Sequence, residues 1–218
     1  MDDSVAQAAA KLDAVAVPLG LRRLEAMGDH ESGAYNFYAT RLRRGTIFSD
    51  YDLALARALA EWRQAPKAAH EIGGGFGSLC LLLAMLGFRT TCLEVDRRRF
   101  AAAADLNKGL GATFKEIRRR CRVVNVRFPA PPGALRPAGA MALITNLVFT
   151  TTAQQKAEIL GGLAVYPVSI IDVDRFLTFC TTPEERESRL GEFADAGLVG
   201  APFLDLGRSA CFYRFTPK

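Results

Sequence analysis

Histidine is scarce in this chain: His30 and His70 are the only two in 218 residues. With so few imidazoles, no ligand cluster of the kind that holds zinc or iron can be assembled, and no metal is expected. The five cysteines (Cys80, Cys92, Cys121, Cys180, Cys211) show no C-x-x-C spacing, and their odd number argues against a disulfide framework. Four of them fall in apolar stretches, where a free thiol behaves as a small buried hydrophobe. Long apolar runs are missing as well. The longest, Leu79–Leu86, is far short of the ~20 residues that a membrane-spanning helix needs. The opening Met1-Asp2-Asp3 lacks the basic residues and compact apolar region of a secretory signal, so a cytoplasmic protein without a membrane span is expected. Charge of one sign is also in short supply, since 28 basic residues face 23 acidic ones for a net charge of +5. The arginine clusters at 41–44, 97–99 and 118–120 read as solvated faces, which disfavours a nucleic-acid partner.

Half of the residues are hydrophobic, enough for one well-cored domain and an appendage. Helical spacing of Val5, Ala8, Ala9, Leu12 and Val15 predicts a first helix stopped by Pro18, with a short second one over 19–27. A polar turn over 28–33 follows. Residues 35–46 mix aromatics, arginines and hydroxyls without a clean period, as a cap over a ligand or a packed N-terminal lobe would. Ser49-x-x-Asp52 has the form of a capping box for a helix that runs toward Pro66.

From residue 68 onward, apolar runs with strand character alternate with helical ones. Ala68–Ile72, a run ending at Glu94, 121–128, 140–145 and 165–173 read as strands, with helices over 79–86, 100–110 and 153–160 between them. Gly109 or Gly111 is expected to end the second of these helices. Thr182-Pro183-Glu184-Glu185 is a capping box for a helix ending at Gly197. The runs 203–206 and 210–215 are joined too tightly for a crossover, so an antiparallel hairpin closes the sheet.

The chemistry concentrates at the first strand-to-helix turn, His70-Glu71-Ile72-Gly73-Gly74-Gly75-Phe76-Gly77-Ser78. Glycines there permit positive φ and close approach of a ligand to the backbone, and the following helix offers free N–H groups. A dinucleotide G-x-G-x-x-G from Gly73 would need glycine or alanine where Ser78 stands, which weakens a nicotinamide oxidoreductase reading. The spacing present is E-x-G-x-G-x-G, from Glu71 through Gly73, Gly75 and Gly77. An acid, Glu94, follows at the end of the next strand, where it can accept hydrogen bonds from ribose hydroxyls; Asp96 is the alternative.

This pattern resembles motif I of the class I S-adenosylmethionine-dependent methyltransferases. The resemblance implies an α/β fold: a doubly wound, mostly parallel seven-stranded sheet with a C-terminal antiparallel hairpin and an N-terminal helical cap. The cap would be residues 1–49 and the Rossmann-like cofactor domain 50–218. It further implies S-adenosylmethionine as cofactor, held by Glu71, Gly73, Gly74, Gly75, Gly77 and Glu94, with Val95, Arg127, Phe128 and Asn146 around the adenosine. No family acid follows the third strand, where Asn125-Val126-Arg127-Phe128 stands. Asn146 and Phe149 match only fragments of the N-P-P-Y/F motif of enzymes that methylate nucleic-acid amino groups. The expected acceptor is a small molecule, with Tyr35, Tyr38, Phe48 and Tyr51 as candidates for its pocket. His30 is the candidate base, with Glu31 or Asp50 as alternatives. A fold relative that keeps the cofactor site without catalysis is the competing reading. Oligomeric state is not legible.

Overall fold

The computed structural model of the protein describes residues 3–27, 32–149, 151–207 and 209–218. In chain order the helices are α1 (Ser4–Met27), α2 (Ser32–Arg43), α3 (Asp50–Glu61), α4 (Ser78–Met85), α5 (Arg97–Thr113), α6 (Lys115–Arg120), α7 (Ala153–Leu163) and α8 (Pro183–Asp195). The strands are β1 (Ala68–Ile72), β2 (Arg89–Leu93), β3 (Cys121–Val124), β4 (Ala140–Ile144), β5 (Leu147–Val148), β6 (Val168–Asp172), β7 (Phe176–Leu177), β8 (Leu198–Asp205) and β9 (Cys211–Pro217). Seven of them form one sheet in the order β3-β2-β1-β4-β6-β9-β8. The first five in that order run parallel, and β9 is antiparallel to both β6 and β8. No helix among the described residues is long and apolar enough to cross a membrane.

Side chains alternate across the parallel strands, so each strand feeds two cores. Ala69, Met141, Leu143 and Ile170 face the layer of α1, α3, α4 and α5, while Ile72, Ala142, Ile144 and Ile171 face that of α7 and α8. The alternation places Glu71 under the start of α4 and His70 on the opposite face. There His70 Nδ1 and the Tyr166 hydroxyl share a hydrogen bond of 2.9 Å, a structural role for this histidine.

The N-terminal region departs from the sequence reading. A single helix, α1, runs straight past Pro18. Proline removes the bond to the Ala14 carbonyl, but Ala14 and Pro18 both lie on the exposed side of the helix, where water can take that carbonyl. The buried stripe Val5, Ala8, Ala9, Leu12, Ala16 holds the helix through the defect. Since the proline ring is exposed, Pro18→Ala should raise stability by ~1–3 kcal/mol in chemical denaturation. An unchanged midpoint would mean that the proline is not strained there. The aperiodic stretch 35–46 is mostly helix α2, whose pattern is hidden because Arg41 turns inward.

Helix α5 starts three residues earlier than expected, capped by Asp96, which accepts from the amides of Arg98 and Arg99. It also passes through both glycines that were expected to end it. Gly109 is there for packing: a Cβ would lie 2.7 Å from Leu19 of α1. The 118–120 cluster forms the exposed end of α6, a short helix with no counterpart in the sequence reading. The capping boxes at Ser49 and Thr182 form as their sequences suggest. The short parallel pair β5–β7 was not foreseen.

Candidate functional site

Strand order reverses between β1 and β4, which opens a crevice at the carboxyl ends of the strands, the place where doubly wound sheets bind ligands. Three loops meet there: the glycine turn after β1, the Glu94–Asp96 segment after β2 and Thr145–Phe149 after β4. In the glycine turn Gly73, Gly75 and Gly77 have φ of +69°, +57° and +73°, a region that favours glycine. The amides of Gly73 and Gly74 donate to the Leu93 carbonyl at 2.9 and 3.1 Å, folding the turn back onto the end of β2.

Glu94 ties the two loops together. One carboxylate oxygen accepts from the Gly75 amide at 3.0 Å and the other from the Asp96 amide at 2.9 Å. A carboxylate offers about four acceptor positions, so two stay open for hydroxyl donors. Asn125, after β3, donates to the carbonyls of Glu94 and Val95 at 2.7 and 3.0 Å and fixes the strand end. Of the two candidate acids, Glu94 lines the crevice and Asp96 is used as the cap of α5.

Two cavities share the crevice. The larger, about 400 Å³, is lined by Ile72, Val95, Phe128, Leu147, Phe149 and Ile159 among its apolar side chains, with Glu94, Arg127 and Asn146 among its polar ones. The smaller, about 300 Å³, is bounded by Tyr38, Arg41, Tyr51, Asp52, Glu71, Ser78 and Thr145. Gly73, Arg99 and Asn146 belong to both, so the two are halves of one cleft.

The small cavity is a buried polar box. Asp52, at the third position of α3, is only 4% exposed and accepts from the amide and hydroxyl of Ser49 at 2.9 and 2.7 Å. Arg41 of α2 reaches the same carboxylate at 3.4 Å and donates to the Tyr51 hydroxyl at 3.1 Å. The guanidinium of Arg175 lies on Tyr51 too, 5.6 Å from the ring centre, against 5.7 Å for Arg41. Tyr38 stacks on Phe76 at 3.8 Å, with its hydroxyl over Gly75. Glu71 is 3% exposed, and its Oε2 has no hydrogen-bond partner. Burial and the nearby Asp52 carboxylate push its pKa up to about 8, against the opposing pull of the Cys80 thiol and amide. Burial likewise raises Asp52 above the usual carboxylate range, offset by Arg41 and Ser49.

The sequence candidates are distributed as follows. Glu71, Gly73, Gly74, Glu94, Val95, Arg127, Phe128, Asn146, Tyr38 and Tyr51 all line the cleft. Gly75 and Gly77 shape the turn behind it. Phe48 is 4% exposed, belongs to the core on the α1 side and lines neither cavity. Tyr35 lies on α2, and its side chain is outside the described residues, as are His30 and Glu31 entirely. Asp50 sits exposed in the first turn of α3 and lines neither cavity. Sequence reasoning missed Arg41, Asp52 and Arg99. The first and last were hidden in clusters read as solvated, and Asp52 was read only as a cap.

This sheet order, with its terminal antiparallel strands and a ligand cleft at the β1/β4 reversal, is the fold of the class I S-adenosylmethionine-dependent methyltransferases. Solved structures share this fold. Magnesium protoporphyrin IX methyltransferase from Synechocystis PCC 6803 with bound S-adenosylmethionine matches 85% of this chain and 86% of its own, at a TM-score of 0.57 and 13% identity. A glycopeptide N-methyltransferase complexed with S-adenosylhomocysteine matches 78% and 91%, at 0.57 and 15%. A Pyrococcus horikoshii protein provisionally described as an RNA methyltransferase matches 77% and 83%, at 0.53 and 15%. No protein-family model matches the chain, and no curated protein matches it in sequence.

Proposed function

We propose that the protein is an S-adenosylmethionine-dependent methyltransferase that acts on a small molecule by in-line methyl transfer. The observation that carries this reading is the divided cleft at the β1/β4 reversal. One half is apolar with Glu94 at its edge, and the other is polar and lined by Glu71, whose buried Oε2 has no hydrogen-bond partner. An adenosine suits the first half, with Val95, Phe128 and Ile159 against the base and Glu94 accepting from the ribose. The second suits an amino-acid end, whose ammonium would supply the donors that Glu71 lacks.

The bound cofactor supplies a methyl group already activated on sulfur. The chain itself has to hold the acceptor in line and keep water out. Tyr38 and Tyr51, held by Phe76 and by two guanidinium groups, form the wall of the small cavity and are placed to do both. The near balance of 28 basic and 23 acidic residues favours a small acceptor over a nucleic acid. The three structural relatives, named for a porphyrin, a glycopeptide and an RNA, share the fold across unlike acceptors, so the likeness does not choose the acceptor.

Titration calorimetry with S-adenosylmethionine, S-adenosylhomocysteine and NAD(P) tests the reading. The two sulfur ligands should bind and the nicotinamide should not. Tight NAD(P) binding with no response to either sulfur ligand would sink it.

A further inference from the structure

The polar half of the cleft contains a charge imbalance that the proposed cofactor would correct. Glu71 sits near the end of β1, lines the small cavity, is 3% exposed, and has its buried Oε2 unpartnered. The glycine turn closes over that oxygen: a Cβ on Gly74 would lie 2.9 Å from it and 2.7 Å from Cys92 Sγ. The neighbouring buried acid, Asp52, has the compensation that Glu71 lacks, since Ser49 and Arg41 fill its acceptor positions. A second anion beside it, buried and unpaired, would cost several kcal/mol.

Resting on the S-adenosylmethionine reading, we propose that Glu71 is a charge-sensing residue: it is a neutral acid in the ligand-free protein and loses its proton to solvent when the amino-acid end of the cofactor enters, where ammonium and sulfonium outweigh the single carboxylate. The Oε2–H bond breaks heterolytically, the proton passes to water or buffer, and the negative charge stays on the carboxylate facing the ligand. The thioether product keeps its ammonium and has lost the sulfonium, so it draws less charge from Glu71. The residue thereby favours the charged cofactor over the spent one.

Every element around Glu71 is consistent with this assignment. From α2 come Tyr38 and Arg41, from α3 Tyr51 and Asp52, from α4 Cys80, from β2 Cys92, from the segment after it Glu94, and from β3 Cys121, while Arg99 of α5 lines the same cavity. Burial holds the Tyr38 hydroxyl and the Cys80 and Cys121 thiols in their neutral forms, and the Cys92 thiol is raised as well. Arg41 is engaged with Asp52. Burial raises Asp52 too, but Ser49 and Arg41 hold its carboxylate, whereas Glu71 Oε2 has no such partner.

Its free-state pKa of about 8 sets the direction. Binding that releases a proton strengthens as pH rises toward that value and levels off above it. Calorimetry at pH 7 in buffers of different ionisation enthalpy should count on the order of one proton released per S-adenosylmethionine bound, and fewer for S-adenosylhomocysteine. Affinity for S-adenosylmethionine should rise by up to about tenfold per pH unit from pH 6 to 7.5. Glu71→Gln should bind with no proton released at pH 7 and with its preference shifted toward the thioether. The ligand's own amino group, which titrates near pH 8, acts equally in both proteins. Should the variant not fold, the wild-type count at pH 7 decides, since the ligand's own amino group is still largely protonated there and releases little. Binding of S-adenosylmethionine with no proton released at pH 7 overturns this proposal and leaves the cofactor reading intact. Absence of binding by both sulfur ligands at every pH overturns the two together.

Discussion

Replacing Gly75 by alanine should lower the affinity for S-adenosylmethionine by on the order of 100-fold while leaving the fold in place. Two costs add at this one atom. The residue has φ of +57°, where an L side chain is strained by roughly 1–2 kcal/mol. The new Cβ would also lie 1.8 Å from the Tyr38 hydroxyl and 3.0 Å from its ring, a contact that cannot persist. Either Tyr38 leaves its stack on Phe76 or the turn changes shape, and the second releases the Gly75 amide from Glu94. A site whose competent shape is populated at ~1% binds about 100-fold more weakly. The companion variant Gly75→Ala/Tyr38→Ala separates the two costs. Compared with Tyr38→Ala alone, it should bind within about tenfold, because only the backbone strain is left. A double variant as weak as Gly75→Ala would show that Tyr38 is not what the methyl group meets. Unchanged affinity in Gly75→Ala would show that the turn is not part of the site.

Glu94→Ala should weaken cofactor binding by about 1.5–3 kcal/mol, the range of charge-assisted hydrogen bonds, or between about tenfold and a hundredfold in Kd. The carboxylate has two functions. On the proposed reading it accepts from the ligand on its cleft side; facing inward, it holds the Gly75 and Asp96 amides. Glu94→Gln distinguishes them. Its amide oxygen can serve only one of the two amides, and its NH₂ points a donor where a donor already stands. Binding in Glu94→Gln should therefore fall nearly as far as in the alanine variant, with a smaller loss of thermal stability. Full affinity in a folded Glu94→Ala would place the ribose contact elsewhere, with Asp96 next to be examined.

Legibility followed the range of the interactions. The glycine turn, Glu71 and Glu94 could be read because each is demanded locally: positive φ values restrict the residue type, and an acid at a strand end has a fixed distance to the preceding turn. The capping boxes at Ser49 and Thr182 belong to the same kind of signal, spanning only one helical turn. The misreadings lie where a distant partner overrides the local preference. Pro18 would end an isolated helix, yet α1 continues because its buried stripe packs on α5 and α4. Gly109 looks like a helix end and is instead the place where Leu19 approaches α5.

Sequence alone determined the alternation of strand and helix, the turn that carries the cleft and the acid opposite it, because periodicity and spacing are properties of the chain itself. Tertiary structure decided which charges face inward. Arg41 and Arg43 stand two positions apart on α2, and only the docking of that helix on α1, which α3 also contacts, buries the first against Asp52 and leaves the second exposed. The same docking sets Tyr38 over Gly75 and brings Asp52 near Glu71. The charge state of the site depends on groups brought together from β1, α2 and α3. No local pattern encodes that encounter, since electrostatic energy depends on distance and burial in three dimensions.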